Sequence, residues 1–280
     1  MQCDILTLFP EMVANVVSHS IVKRAQDNGL VSIRTHNIRD FSDDRHRVAD
    51  DTSYGGGSGM IMKAEPIFRA IEALREERSQ LRMIVPSPQG RPFTQRLAEE
   101  LSRESRRLVW ICGHYEGIDE RVLLRLEPEE LSLGDYVLTG GELPALVMID
   151  AAVRLVPGVV GDPASVEQDS FAEPLLDFPH YTKPQTVRGC QVPDVLLSGN
   201  HEAIRRWRRK EALRNTYYKR PDLLQQESLT REDQQLLSDI FQERECRGGP
   251  SCPPVKGEDD HHESASTARA NVPDEFGPRV

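Results

Sequence analysis

Apolar and polar positions follow two alternating periods through the first half of the chain. Residues 5–9 form an apolar run of strand length, and 11–28 repeat their apolar positions at helical spacing, with Pro10 where a helix begins and Gly29 where it ends. The pattern then predicts a strand over 31–38, a helix over 64–78, and a strand over 81–86 entering a turn at 87–91. A helix follows over 94–105 with Thr94 as N-cap, then a strand over 107–112 that runs into a polar turn at 113–121. An apolar helix over 142–156 is closed by Pro157 and Gly158. Strands alternating with helices predict a mostly parallel sheet covered on both faces. Ligands bind such sheets beyond the carboxyl ends of the strands, where the glycine turns at 87–91, 113–117 and 139–141 fall.

Other stretches break the pattern. Residues 132–144, Ser-Leu-Gly-Asp-Tyr-Val-Leu-Thr-Gly-Gly-Glu-Leu-Pro, hold too many glycines for a plain element and too many apolar residues for a solvated loop. A strand-like core is expected at 135–138, with the flanking glycines letting something approach the main chain closely; a ligand is one candidate. Residues 39–60 form a long polar segment ending in a glycine run at 55–59, read either as a connector or as a lid over a ligand or RNA. It is not a phosphate loop, because the Gly-Lys-Ser/Thr ending is missing. From 158 to 170 periodicity is lost, as in a linker between domains.

Beyond that linker the composition changes. Residues 201–220 carry eight Arg and Lys against Glu202 and Glu211, interleaved with Trp207, Tyr217 and Tyr218. Asn200 reads as the N-cap of this helix, and Thr230 to Asp233 open another that buries Leu236, Leu237, Ile240 and Phe241. The expected organisation is a cofactor-binding α/β domain over 1–160, a linker over 161–175, a small helical domain over 176–245 and a disordered tail over 246–280. The tail is rich in Pro, Gly, Ser, Asp and Glu and has almost nothing apolar to bury.

Whole-chain composition narrows the picture further. With 280 residues, 38% hydrophobic and 29% charged, the chain has the makeup of a globular protein of roughly two domains. No stretch approaches the roughly 20 apolar residues of a membrane span, and the N-terminus lacks a basic-then-apolar leader, so the expected location is the cytoplasm. Five scattered cysteines without a Cys-x-x-Cys pair argue against a disulfide framework or a zinc site and read as buried or idle thiols. Cys246, Cys252, His261 and His262 have the wrong spacing for a zinc finger. The net charge of −10 repels polyanions at long range, so any nucleic-acid site must be local.

The basic helix of the second domain is the clearest partner signal. Its arginines, among them Arg205, Arg208 and Arg209, suit phosphates, and its aromatic rings suit unpaired bases; a solvated charged face is the plain alternative. His114, Tyr115 and Glu116 sit in a turn after a strand end, where polar side chains converge on sites, and Glu116 could hold an amine or amide. Asp119 and Glu120 read as first-turn carboxylates. Arg154 reads as a cation near a helix C-terminus and Asp169 as a solvated linker carboxylate; spacing alone selects neither.

Six segments, 54–60, 87–91, 113–121, 134–144, 169–176 with 179–182, and 196–207, together resemble the bacterial tRNA (guanine-N1)-methyltransferases in order and spacing, over about residues 1–245. The resemblance implies a SPOUT-type parallel sheet with a C-terminal trefoil knot, plus a small helical C-terminal domain, in a homodimer with shared active sites. It implies S-adenosylmethionine held bent in the knot by Pro86, Ser87, Gly113, Tyr115, Glu116, Leu133, Gly134, Asp135, Tyr136, Val137, Leu138, Gly140, Gly141 and Pro144. The implied reaction is methylation of N1 of guanosine 37 in a tRNA with guanosine at positions 36 and 37, Asp169 being the base and Arg154 stabilising charge on O6. Glu116, Tyr115, Ser165 and Asp177 are implied around the flipped guanosine, with the loop holding Asp50 and Gly59 closing over the site and the basic helix gripping the tRNA. His114 stands where some members carry Arg, so a contact there is expected to be weaker or pH-dependent. The family's magnesium dependence finds no ligand cluster, and the ion remains an expectation without a site. An RNA-binding protein that kept the fold without the chemistry, and a SPOUT methyltransferase acting on another RNA, are the alternatives. A dinucleotide dehydrogenase is disfavoured, since no Gly-x-Gly-x-x-Gly follows the first strand.

Overall fold

The computed structural model describes residues 1–76, 80–161, 169–173, 175–224 and 229–246. Ser165, most of the expected linker and all but the first residue of the expected tail, 247–280, lie outside them. The first half builds a five-stranded, all-parallel sheet from β1 (Gln2–Thr7), β2 (Ser32–Asn37), β5 (Leu81–Pro92), β6 (Arg107–Ile111) and β7 (Glu129–Ser132). Their spatial order is β2-β1-β6-β5-β7. Burial follows that order: every residue of central β6 is buried, whereas edge β2 is half-exposed along its length. A parallel strand covered on both faces reads as a continuous apolar run, which the Leu-Val-Trp-Ile stretch of β6 provides.

Two hydrophobic layers cover the sheet. One holds Ile5, Trp110 and Leu131 under α1 (Pro10–Val17), α2 (Ser20–Asp27), α4 (Gln95–Ser102) and α6 (Glu142–Val153). The other holds Leu6, Val109 and Ile111 against α3 (Ala64–Glu76) and α5 (Glu120–Leu126). Asp4 is fully buried in the sheet, and its carboxylate is met by Arg34 at 3.1 Å, His36 at 2.6 Å and Arg107. A charge withdrawn from water needs such partners.

Several expectations change. The helix over 11–28 is two helices, broken where the Ser18 hydroxyl bonds the Asn15 carbonyl and His19 turns extended. The polar segment 39–60 is not patternless: β3 (Asp50–Thr52) pairs antiparallel with β4 (Met60–Met62), which leaves the glycine run at the hairpin tip. Residues 135–138 are not a strand; the strand comes earlier, as β7, and Gly134 at φ +153° turns the chain out of it. Phe241 is 43% exposed rather than buried. Cys190 is disulfide-bonded rather than an idle thiol, whereas Cys3 and Cys112 are buried and free.

The C-terminal helices α7 (His201–Lys219), α8 (Pro221–Leu224) and α9 (Arg231–Cys246) bury their own small cluster, Leu175, Leu213, Leu236, Leu237 and Ile240. Asn200 caps α7 by accepting from the Ala203 amide at 3.1 Å. At the start of α9, Thr230 and Asp233 bond reciprocally, side chain to backbone, as a capping box. Asp233, 2% exposed, also takes two bonds from Arg209, at 2.7 and 3.1 Å. Burial alone raises this carboxyl, but Arg209 and Thr230 outweigh it and hold it at about 2, below the ordinary 3.8. Its stabilisation is therefore complete above about pH 4 and lost as the pH falls through about 2. Asp233→Asn is expected to lower the unfolding free energy by about 2–3 kcal/mol at neutral pH. Urea unfolding at pH 7 and at about pH 3 checks this, since the gap from the parent protein must shrink in acid.

Candidate active site

A cavity of about 360 Å³ opens beyond the carboxyl ends of β5, β6 and β7, the place expected for a parallel sheet. Its walls are three departures from regular structure. The first is in β5, where Pro86 and Arg91 both stand opposite Leu131 and residues 87–90 bulge out between them. Prolines 86, 88 and 92 supply no ladder N–H, so this strand end loses its regular pairing. The second wall is the turn after β6. Tyr115 there takes φ +60°, a conformation costing a non-glycine residue about 1–3 kcal/mol. It is held by the Glu116 amide bonding the Met60 carbonyl at 3.0 Å and the Gly117 amide bonding the His114 carbonyl at 3.1 Å.

The third wall is the irregular segment 133–139, followed by Gly140, Gly141 and α6. A Cβ on Gly141 would lie 2.9 Å from both the Cys112 Cα and the Gly113 nitrogen, and the Gly141 amide donates to the Gly113 carbonyl at 2.7 Å. The close approach inferred from the glycines is thus chain against chain at this position.

The cavity gathers the cofactor-binding candidates with one exception. Pro86, Ser87, Gly113, Tyr115, Glu116, Leu133, Gly134, Tyr136, Val137, Leu138, Gly140, Gly141 and Pro144 line it, and Asp135 does not. Gly59 joins this group, since a Cβ there would meet the Glu116 side chain at 2.5 Å, and Asp50 lies on the same hairpin, paired with Met62. Tyr136, Val137 and Leu138 are 56%, 85% and 42% exposed, an apolar edge left open beside the cavity.

The catalytic candidates form a second group. Arg154, the C-cap of α6, meets Asp169 at 2.5 Å, each about one-third exposed. The Ser170 hydroxyl accepts from the Asp177 amide at 2.9 Å, and Asp177 holds His180 at 2.7 Å, so three of the expected residues share one corner. Neither Arg154 nor Asp169 lines the cavity. α6 separates the two groups: its 12 residues span about 18 Å, with Gly141 at one end and Arg154 at the other.

The basic helix is largely neutralised by its own fold. Arg205 pairs with Glu202 and Glu232, Arg209 with Asp233 and Glu173, and Lys210 and Arg214 with Glu243. Arg206 faces Asp239 at 3.9 Å, and Arg220 pairs with Asp222. Arg208 differs: exposed and without a carboxylate partner among the described residues, it lies 4.8 Å over the Phe178 ring. Next to it Trp207 and Tyr181 stand 6.3 Å apart, Tyr181 half-exposed. Among the described residues no cluster of three or more His, Cys, Asp or Glu could hold a metal ion, and no helix is long and apolar enough to cross a membrane.

The family described as tRNA (Guanine-1)-methyltransferase TrmD matches residues 1–226. The chain belongs to that family. It is 56% identical over 243 residues to the tRNA (guanine-N(1)-)-methyltransferase of Dictyoglomus turgidum, covering 87% of this chain and 98% of that protein. The protein of the same name from Carboxydothermus hydrogenoformans is 55% identical over 237 residues, 85% of this chain and 92% of its own length. That of Dehalococcoides mccartyi is 52% identical over 249 residues, 89% of this chain and its full length.

Sequence reasoning missed two residues beside the cavity. Glu142, 2% exposed, accepts from the Thr7 hydroxyl at 2.7 Å. A glutamate in the first turn of a helix reads as a dipole partner, and only its position against β1 reveals the buried contact. Because Gly141 lies against two backbone atoms, Gly141→Ala is expected to force the start of α6 off the 112–114 turn. A drop in melting temperature of several degrees, with loss of small-molecule binding in the cavity, is the outcome that thermal melts and calorimetry should record.

Proposed function

We propose that the chain catalyses S-adenosylmethionine-dependent methylation of N1 of guanosine 37 in tRNA with guanosine at positions 36 and 37, through a knotted SPOUT fold acting as a homodimer. Membership of the family supports the reaction. The observation that carries the rest is the placement of cavity and ion pair at opposite ends of α6. The cavity fits a methyl donor of nucleoside size: its volume lies in the range of small-molecule sites, and irregular backbone over 133–139 faces it. Pro86, Ser87, Gly113 and the 133–141 segment would hold that donor, whose sulfonium supplies an electrophilic methyl group when bound.

Neutral guanine carries a proton at N1, so a base must remove it as the methyl arrives. Asp169 has that role, and Arg154 balances negative charge growing on O6. Along one chain these residues lie about a helix length from the donor cavity. A second copy resolves the separation. Leu143, Val147, Asp150 and Arg154 fall on one exposed or half-exposed face of α6 at spacings of four, three and four, with Met12 and Val16 of α1 also exposed. An isologous, antiparallel pairing of that face would set the Arg154 end of each copy over the cavity of the other. The tRNA then meets Arg208, Phe178, Tyr181 and Trp207 on the helical part. Domain limits of 1–160, 161–175 and 176–245 are part of the same reading, as is cytoplasmic location.

Asp169→Ala is expected to lower methyl transfer to a tRNA transcript by at least about a hundredfold while leaving S-adenosylmethionine affinity within about twofold. Comparable turnover in the variant would sink the assignment of the base; the transcript with G37 replaced by A is the control. Charge reversal is expected to separate the arginines. Arg208→Glu should weaken tRNA binding about tenfold with little change in melting temperature, whereas Arg209→Glu should lower the melting temperature first; filter binding and thermal melts compare them.

A further inference from the structure

Under the cavity floor, an imidazole nitrogen lacks a partner. His114 lines the cavity and its ring is 22% exposed, yet its Nδ1 is buried without a hydrogen bond. The edge bearing Nδ1 and Cε1 faces Gly140, where a Cβ would collide with Nδ1 and lie 3.0 Å from Cε1. Phe9 and Tyr115 hold the ring by aromatic contact at 4.8 and 5.0 Å. Of the two ring nitrogens only Nδ1 is buried without a partner, which leaves Nε2 as the one available to the cavity. Facing Nδ1 at 3.7 Å is Oε2 of Glu142, whose other oxygen accepts from the fully buried Thr7 hydroxyl.

A carboxylate with nearly all its water removed requires donors. Thr7 provides one at Oε1, the N-terminus of α6 favours the negative charge, and His114 Nδ1 lies 3.7 Å from the other oxygen, where an Nδ1–H would face it. Burial and then the Glu142 charge push the Cys112 thiol well above its ordinary value of 9.0, so Cys112 keeps its proton and offers no competing charge. A neutral imidazole has one N–H, so a proton fixed on Nδ1 leaves the Nε2 lone pair free.

We propose that Glu142 is a positioning residue that holds His114 in the Nδ1–H form, so that Nε2 faces the cavity as an acceptor for an N–H or O–H donor on the bound methyl donor. This rests on the proposed function for the identity of the ligand, but not for the state of the ring. The pair selects for a hydroxyl or amine at that point of the ligand and against a lone pair, because a buried acceptor facing an acceptor is penalised.

Glu142→Gln tests it, since the substituted amide can donate to Nδ1 and so move the ring proton to Nε2. Nitrogen-15 spectra of the free protein are expected to show Nε2 unprotonated in the parent and protonated in E142Q. S-adenosylmethionine affinity should fall about tenfold in E142Q. His114→Gln, whose amide oxygen reaches the Nε2 position, should retain more affinity than His114→Asn, and this comparison decides the matter if E142Q does not fold. A protonated Nε2 in the parent, an unchanged affinity in E142Q, or equal affinities of the Gln and Asn variants would overturn the proposal. Failure of the functional reading looks different: the parent would bind no S-adenosylmethionine while its ring still carried the proton on Nδ1.

Discussion

The contact of Gly141 with the backbone of Cys112 and Gly113 sets the geometry of this molecule. Two main chains meet at a distance that admits no Cβ, so the start of α6 is fixed against the end of the central strand. Residues 133–139 must then bridge from β7 at the sheet edge to that point, and in doing so they wall the cavity. The same contact lays Glu142 beside Thr7 and His114. It also aims α6, and with it the position of Arg154, across the face of the sheet.

Charge is handled by long-range pairing. Asp4 is neutralised inside the sheet by residues of β2 and β6, and Arg82 lies among Glu100, Glu104 and Glu129. On α7 most of the basic residues bond to carboxylates of α9 or of their own helix. These pairs hold the helical cluster together and remove most of the apparent positive patch. Among the described residues, the guanidinium of α7 left without a carboxylate partner is that of Arg208, over a phenyl ring and beside an indole and a phenol, with the exposed Lys219 at the helix end. Such a surface suits unpaired bases better than a uniform phosphate track.

The sequence made the parallel sheet legible because its inner strands are continuous apolar runs, and the caps at Thr94 and Asn200 were legible because each is a short-range side-chain signal, whereas Asp119, read as a first-turn carboxylate, is itself an N-cap. The break at Ser18 and His19 was not, since apolar spacing continues across it. Strand β7 was hidden for the opposite reason: Glu129 and Glu130 occupy a sheet edge where charge is tolerated. The ion pairs that α7 makes beyond its own helix were invisible because their partners lie 24 to 36 positions away. Within the candidate site, the glycines announced a close approach but not its partner. Arg154 and Asp169 carried no local signal; resemblance singled them out, and the structure brings them to 2.5 Å of each other.

That pairing bears on the proposed chemistry. In the free chain Asp169 Oδ2 is occupied by the Arg154 guanidinium, so the proposed base and the proposed charge stabiliser hold each other. In the proposed reaction a guanine arriving between them would offer O6 to Arg154 and N1–H to Asp169, adjacent groups on one edge of one base. The exchange replaces one charge-assisted bond by two, and it is available only to a base presenting an acceptor beside a donor. Adenine presents the reverse at those positions, with a donor at N6 and a lone pair at N1, and would leave the arginine facing a donor and the carboxylate facing a lone pair. On the proposed roles, this ion pair, each partner about one-third exposed, would open to guanine and stay closed to adenine before any contact with the rest of the tRNA is counted.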